Sequence, residues 1–197
     1  GENRFNLEFL NAFLSVLDRI EADTDARTLV VRSAHEKIFS NGIDLEWLAP
    51  VIEKGDIQTA KSFFYLLNRL FHRIVSYPLI AVAAINGHAF AGGAILACAF
   101  DFRFMQTGRG FFCFPEVDLG IPFLPGMNAL LCKAMPMDTV VEMELTGARV
   151  AGKPSLSERR EEAEGHVGLA VNGEGTVGPH DVVVSGEHAE RLLALRH

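Results

Sequence analysis

The stretch LIAVAAINGHAFAGGAILACAF, from Leu79 to Phe100, decides how this chain folds. Its first part, Leu79 to Ile85, is a continuous apolar run directly after Pro78, which is typical of a strand buried on both faces. The run stops at Asn86-Gly87, a turn signal. A second apolar run begins at Ala94 and is rich in Ala and Leu, which favours a buried helix. The pattern therefore predicts a strand, a glycine-containing turn and a helix.

Two glycines, Gly92 and Gly93, stand where that helix would begin. Because glycine has no side chain, backbone N–H groups without an intrahelical partner can face a ligand at close range. A helix N-terminus of this kind can hold an anion, or an oxygen that becomes negative during a reaction. The alternative is that the glycines only let the helix pack tightly against the strand. They do not form a dinucleotide-binding fingerprint, and the chain has no Gly-Lys-Ser/Thr phosphate loop.

The composition is that of an acidic globular chain. Its 197 residues are 49% hydrophobic, which is enough for one good core and a small appendage. A net charge of −7, with no basic cluster free of acidic neighbours, argues against nucleic-acid binding. The apolar stretches are interrupted before they reach the ~20 residues that span a bilayer, so no membrane span is expected.

The cysteines and histidines show no metal-ligand spacing, and no metal site is predicted. Cys98, Cys113 and Cys132 are an odd number among apolar neighbours, which favours reduced core thiols in an intracellular protein. The pattern does not distinguish cytoplasm from peroxisome or mitochondrion.

Periodicity and capping signals predict the other elements. Helices are predicted from Asn6, around Glu46, from Asp56 or Thr59, and over 129–143 with a break at Pro136. Strands are predicted at Thr28–Arg32, Asp101–Met105 and Phe111–Phe114, and loops at Phe39–Leu45 and Pro115–Pro122. The motif Leu145-Thr146-Gly147 indicates a strand end or a turn.

The second of these loops places Glu116 and Asp118 among apolar residues, between Pro115 and Pro122. Apolar surroundings disfavour the charged form of a carboxyl group and raise its pKa, which suits a general acid or base near neutral pH. The alternatives are a surface acid for Glu116 and a turn or cap for Asp118.

Three stretches, in this order, resemble the crotonase superfamily of enoyl-CoA hydratases and isomerases. They are FSNGIDLEWL at 39–48, AAINGHAFAGGAILACAFDFRF at 83–104 and PEVDLGIPFLPG at 115–126. The resemblance implies an α/β fold, a spiral of ββα units usually assembled as trimers or hexamers. It also implies acyl-CoA substrates, with coenzyme A as part of the substrate and no separate cofactor.

The resemblance divides the chain into two parts. Residues 1–150 are expected to form the crotonase-like core, with the family's first strand, which precedes the position of Gly1, missing. Residues 151–197 do not resemble the family's C-terminal helices and are expected to be an atypical segment of loose packing.

The family's oxyanion hole uses two backbone N–H groups, which by position correspond to Ile43 and Gly92. Of the two glutamates of hydratases, the first falls at Ile95 and the second at Glu116, and a single carboxylate is the pattern of Δ3,Δ2-enoyl-CoA isomerases of fatty acid β-oxidation. The same correspondence implies catalytic roles for Glu116, Ile43 and Gly92. The implied substrate-binding residues are Phe39, Asn41, Asp44, Leu45, Phe90, Ile95 and Ile121. Other crotonase reactions, such as hydration, thioester hydrolysis or decarboxylation, and non-catalytic acyl-CoA binding remain alternatives.

Overall fold

The structure is a computed structural model that describes residues 2–23, 26–152 and 182–184. Its helices are α1 (Leu7–Asp23), α2 (Leu45–Glu53), α3 (Ile57–Val75), α4 (Gly92–Ala99), α5 (Glu116–Leu119), α6 (Pro125–Ala134) and α7 (Met137–Thr146). Its strands are β1 (Thr28–Arg32), β2 (Ile38–Ser40), β3 (Ile80–Ile85), β4 (His88–Phe90), β5 (Phe102–Met105), β6 (Phe112–Cys113) and β7 (Val182–Val184).

The strands form two sheets, and the chain alternates between them. The larger sheet has the order β5-β3-β1-β7, in which β1, β3 and β5 are parallel and β7 is antiparallel to β1. The smaller sheet, β2-β4-β6, is parallel throughout. In each unit one strand joins the larger sheet, the next joins the smaller sheet, and a helix follows. This confirms the predicted α/β spiral of ββα units.

Helix α4 lies in the middle of the core, and all of its residues are buried. A helix that is covered on every side needs apolar residues on every side, which explains its uniform composition. Helices α1 and α3 instead bury one stripe each, which includes Leu10 and Leu17 of α1 and Phe63 and Leu67 of α3. The hydroxyl of Tyr77 donates a 2.7 Å hydrogen bond to the Leu17 carbonyl and ties α1 to the segment after α3.

Several predicted elements are confirmed with their bounds or nearly so. Asn6 caps α1, since its side-chain oxygen accepts a 2.9 Å hydrogen bond from the Phe9 N–H. The strand β1 has the predicted bounds. Asp56 caps α3, and Pro136 separates α6 from α7.

Other predictions were wrong in detail. Both predicted loops contain regular structure, β2 in the first and α5 in the second, and β4 was not predicted at all. Elements of two to four residues are too short for a hydrophobic period to appear in the sequence. Helix α6 begins at Pro125, because proline is well tolerated in a first helical turn.

The C-terminal end of α7 also differs from its prediction. The helix continues through Thr146, and Gly147 ends it with φ 60°. Most of the segment 151–197, including its expected loose packing, lies outside the described residues.

The loops after β2 and β4 meet through glycines. Gly42 has φ +73°, and a Cβ built on it would lie 2.5 Å from the backbone nitrogen of Gly92. A Cβ on Gly93 would lie 2.3 Å from the Ser40 carbonyl oxygen. Real Cβ atoms do not approach backbone atoms so closely, so these positions require glycine for the two loops to stay in contact.

The substitution Gly42→Ala tests this contact, with Gly55→Ala as its matched control. Gly55 has a similar φ of +68°, but its Cβ would meet nothing within 4 Å. Both variants therefore carry the left-handed strain, about 1–2 kcal/mol, while only Gly42→Ala adds a backbone clash. We expect Gly42→Ala to lower the free energy of unfolding by about 1–3 kcal/mol more than the control. Urea unfolding followed by circular dichroism measures both, and equal losses would contradict the account.

Candidate active site

The predicted catalytic residues lie just beyond the carboxyl ends of the smaller sheet. Ile43 follows β2, Gly92 follows β4 and Glu116 follows β6, each within three residues of the strand end. The strands are in parallel register, with Ser40 beside Ala89 and Phe90 beside Cys113. The carboxyl ends of parallel strands share one sheet edge, where α/β proteins commonly bind ligands. The structure therefore brings these three residues to one edge.

The loop containing Ile43 is held by Phe5. The Phe5 N–H donates to the Gly42 carbonyl at 2.7 Å, and the Asp44 N–H donates to the Phe5 carbonyl at 3.0 Å. In such a parallel bridge the residues on either side of Ile43 bond to Phe5, so the N–H of Ile43 itself points the other way. Among residues 2–23, 26–152 and 182–184, no acceptor pairs with that N–H.

Gly92 is the first residue of α4, and within the described part of the chain its N–H also lacks an acceptor. The preceding residue, Ala91, has φ 48°, which is strained for a side chain and costs about 1–3 kcal/mol. Its N–H donates to the Cys113 carbonyl at 3.1 Å, and its carbonyl accepts from Ala94 and Ile95. Ala91 is thus fixed between β6 and α4, and this turn leaves the helix N-terminus, with its partial positive charge, at the sheet edge.

Glu116 begins α5 and is only 7% exposed. One carboxylate oxygen, Oε2, is buried and has no hydrogen-bond partner among the described residues. Burial raises the pKa of Glu116 from 4.5 to about 7; a hydrogen bond to its own backbone opposes this rise, and the negative charge of Glu144 adds to it. A carboxyl group of this kind exchanges protons near neutral pH.

Asp118 lies on the same helical turn but is exposed. Its backbone N–H donates to the Pro115 carbonyl at 3.1 Å, as expected for a residue in a turn. The two acids of the PEVD motif therefore differ in environment, and only Glu116 is desolvated.

The predicted substrate-binding residues fall into three groups. Phe39 and Ile95 are in the core, 4% and 1% exposed, and Phe90 is half-buried. Leu45 and Ile121 are each 40% exposed and offer apolar surface to a ligand. The remaining two are polar, and both have structural hydrogen bonds: Asp44 caps α2 by accepting from the Trp47 N–H at 3.2 Å, and Asn41 donates to the Glu2 carboxylate at 2.9 Å.

Two residues of this region were missed by sequence reasoning. Phe5 was not among the predicted site residues, yet its ring carbon Cε2 lies 3.2 Å from where a Cβ on Gly92 would be. Glu144 was not considered. It follows buried Val140 by four residues and therefore shares the apolar face of α7, and an acid on an apolar face was the available signal.

Two features are absent from residues 2–23, 26–152 and 182–184. Over these residues, no helix combines the length and apolar character that a membrane crossing requires. The same residues contain no group of three His, Cys, Asp or Glu side chains able to hold a metal ion.

Comparison with known proteins identifies relatives of this chain. The family model for enoyl-CoA hydratase/isomerase matches residues 1–157. The chain is 31% identical to the peroxisomal enoyl-CoA delta isomerase 2 of Arabidopsis thaliana, covering 79% of this chain and 66% of that protein. It is 35% identical to a putative enoyl-CoA hydratase of Thermus thermophilus, covering 77% of this chain and 58% of that one.

Solved structures agree with these relatives. The fold matches an enoyl-CoA hydratase from Geobacillus kaustophilus with a TM-score of 0.66 and 30% identity, over 76% of this chain and 55% of that one. It also matches a probable enoyl-CoA hydratase of Mycobacterium tuberculosis with a TM-score of 0.70 over 78% of this chain and 62% of that one; at 24% identity this shows the fold alone. The chain thus spans about half to two thirds of the lengths of the proteins it matches. With its spiral of ββα units and a family match over most of its length, the chain belongs to the enoyl-CoA hydratase/isomerase family and has the crotonase fold.

Proposed function

We propose that this protein shifts the double bond of a 3-enoyl-CoA to the conjugated 2-enoyl position, as in fatty acid β-oxidation, with Glu116 as the single base. One observation carries the proposal: a desolvated carboxylate lies at the same sheet edge as two backbone N–H groups, and one of its oxygens and both N–H groups have no partner among the described residues. Two of the Arabidopsis relatives named enoyl-CoA delta isomerases, 31% and 28% identical to this chain, support the same reaction.

The N–H groups of Ile43 and Gly92 are proposed to bind the thioester carbonyl oxygen. Negative charge grows on this oxygen when a proton leaves the α carbon, so two donors already in place stabilise the transition state more than the ground state. Loss of one such donor typically reduces the rate ~10²–10³-fold. The contact between Gly42 and Gly92 supports this role, because it fixes the two donor loops against each other.

Glu116 is proposed to carry the proton. Its carboxylate takes a proton from the α carbon, which breaks the C–H bond and leaves a dienolate. The same carboxyl group then returns the proton to the γ carbon, forming a C–H bond there and placing the double bond in conjugation with the carbonyl. A carboxyl group whose pKa is about 7 suits both steps, since it can accept and release a proton near neutral pH.

The apolar neighbour on α4 supports isomerisation. Ile95 lies one turn after Gly92, where hydratases of this family carry their first glutamate, and it is 1% exposed in the core. An isoleucine cannot activate water. Together with Phe90 and Ile121 it would keep water from the dienolate.

Hydration is a second candidate, and one observation favours it. Glu144 brings another carboxyl group close enough to Glu116 to influence its proton. A hydratase needs a second proton-exchanging group, and the Thermus relative is named a putative hydratase. The assay below therefore includes this reaction.

We also propose that the protein assembles with copies of itself, as a trimer or hexamer, and acts on acyl-CoA as a free small molecule. Met137, Val141 and Leu145 are exposed at four-residue spacing on α7. An exposed apolar stripe of this kind supports contact with a second chain.

The activity is tested by the absorbance rise that accompanies conjugation when the protein meets a 3-enoyl-CoA. We expect turnover by the wild type, a loss of about 10²–10⁴-fold in Glu116→Gln, and activity within a few-fold of wild type in the control Asp118→Asn. Acyl-CoA binding without turnover would replace the proposal with a non-catalytic binding protein. Hydration of a 2-enoyl-CoA without isomerisation would select the second candidate.

The desolvation of Glu116 has a cost that can be measured separately. Its pKa, about 7 when folded, lies above the ordinary 4.5. Glu116 therefore favours the folded state below pH 4.5, and this contribution is lost as the pH rises through 7. Glutamine cannot ionise, so at pH 8.5 we expect Glu116→Gln to be more stable than wild type, by up to about 3 kcal/mol. The gain should disappear as the pH approaches 4.5, and urea unfolding at both pH values checks this; a gain equal at both would contradict the account.

A further inference from the structure

Helix α7 packs its C-terminal end directly against α5, the helix that carries Glu116. A Cβ built on Gly147, which ends α7, would lie 3.2 Å from Asp118 Oδ2 and 3.5 Å from Val117 Cγ1. Glu144 precedes Gly147 by three residues, close to one helical turn. A side chain on the inner face of this turn is therefore directed toward α5.

Glu144 lies on that inner face. Val140 and Met143, which flank it on the helix surface, are 2% and 3% exposed, whereas Leu145 on the other side is 70% exposed. Oε1 of Glu144 is buried and has no hydrogen-bond partner among the described residues. An acid with a merely structural role would be expected to have a donor there, because an unpaired buried carboxylate oxygen is costly.

Glu144 is the charged side chain that shifts the pKa of Glu116, whereas other nearby charges shift the pKa of Cys113. From α7 the charge of Glu144 acts on Glu116. From β6 the neighbour is Cys113, whose pKa burial raises to about 11, so the thiol stays neutral. The charges of Arg149 and Asp118 influence the pKa of Cys113 and not that of Glu116. The Arg149 guanidinium lies 5.7 Å from the centre of the Phe90 ring.

We propose that Glu144 is a positioning residue that acts through Glu116: the two carboxyl groups form a coupled pair that holds one proton between them while the site works. Two carboxylates in a desolvated region do not both ionise readily, so the pair binds one proton more tightly than either group would alone. When both groups are ionised, the negative charge of Glu144 makes the Glu116 carboxylate a stronger base, which helps Glu116 to remove a weakly acidic α proton. This inference deepens the proposed function, since it takes Glu116 as the base.

The direct test is a titration of Glu116 that needs no substrate. The full chain is labelled with glutamate carrying ¹³C at the carboxyl carbon, and the Glu116 signal is assigned by its loss in Glu116→Gln. Its midpoint is then compared in wild type, Glu144→Gln and the control Glu142→Gln. Glu142 lies on the same helix but is exposed.

We expect Glu144→Gln to lower the Glu116 midpoint by several tenths of a pH unit or more, because the negative charge that opposes ionisation is removed. Glu142→Gln should leave the midpoint unchanged. Glu144→Asp keeps the charge and should therefore restore most of the wild-type midpoint. This variant shows whether the shift in Glu144→Gln comes from the lost charge or from altered packing. An unchanged midpoint in Glu144→Gln, or an equal change in Glu142→Gln, would overturn the proposal.

The titration gives its result whether or not the protein is an isomerase, so it separates this inference from the proposed function. If the protein turns over 3-enoyl-CoA, the acid limb of kcat/KM reports the same group. In Glu144→Gln that limb should then move to lower pH by the same amount as the titration midpoint. A lower rate with an unmoved acid limb would show only a structural role for Glu144 and would refute the coupled pair.

Discussion

The close approach of the Gly42 and Gly92 backbones is the contact on which the site depends. It joins the loop after β2 to the start of α4, and no side chain fits between them. Phe5 contacts both of these segments. It makes two backbone hydrogen bonds to the Gly42–Asp44 loop, and its ring lies beside Gly92. With both loops held, the N–H groups of Ile43 and Gly92 have no acceptor in the described part of the chain, which is the basis for the role proposed for them.

The second constraint is the desolvation of Glu116, which couples stability to the proposed chemistry. The Glu116 carboxylate is 7% exposed, and one of its oxygens has no partner among the described residues, so its charged form is disfavoured. This unfavourable desolvation occurs where α5 packs against α7. A second unfavourable feature is the strained backbone of Ala91, which directly precedes α4. Both features lie at the carboxyl edge of the smaller sheet. Strain and desolvation concentrated at one edge are characteristic of a functional site rather than of a packing compromise.

The sequence predicted much of this arrangement, and the reasons for success and failure differ by residue. The buried strand β3, the apolar helix α4 and the glycines between them leave clear local patterns, and the three motifs at 39–48, 83–104 and 115–126 carried the family resemblance. The strands β2 and β4 are three residues long and have no period to detect. Phe5 and Glu144 were missed because their roles arise from contacts distant in sequence, although the acid on the apolar face of α7 was a usable signal.

The most direct test of the central claim is a crystal structure of the protein with a saturated acyl-CoA, which cannot isomerise. We predict that the thioester oxygen lies about 2.7–3.1 Å from the backbone nitrogens of both Ile43 and Gly92. We also predict that the Glu116 carboxylate is the acidic group nearest the α carbon. A thioester bound away from these two nitrogens, or an α carbon that faces no carboxylate of α5, would contradict the central claim.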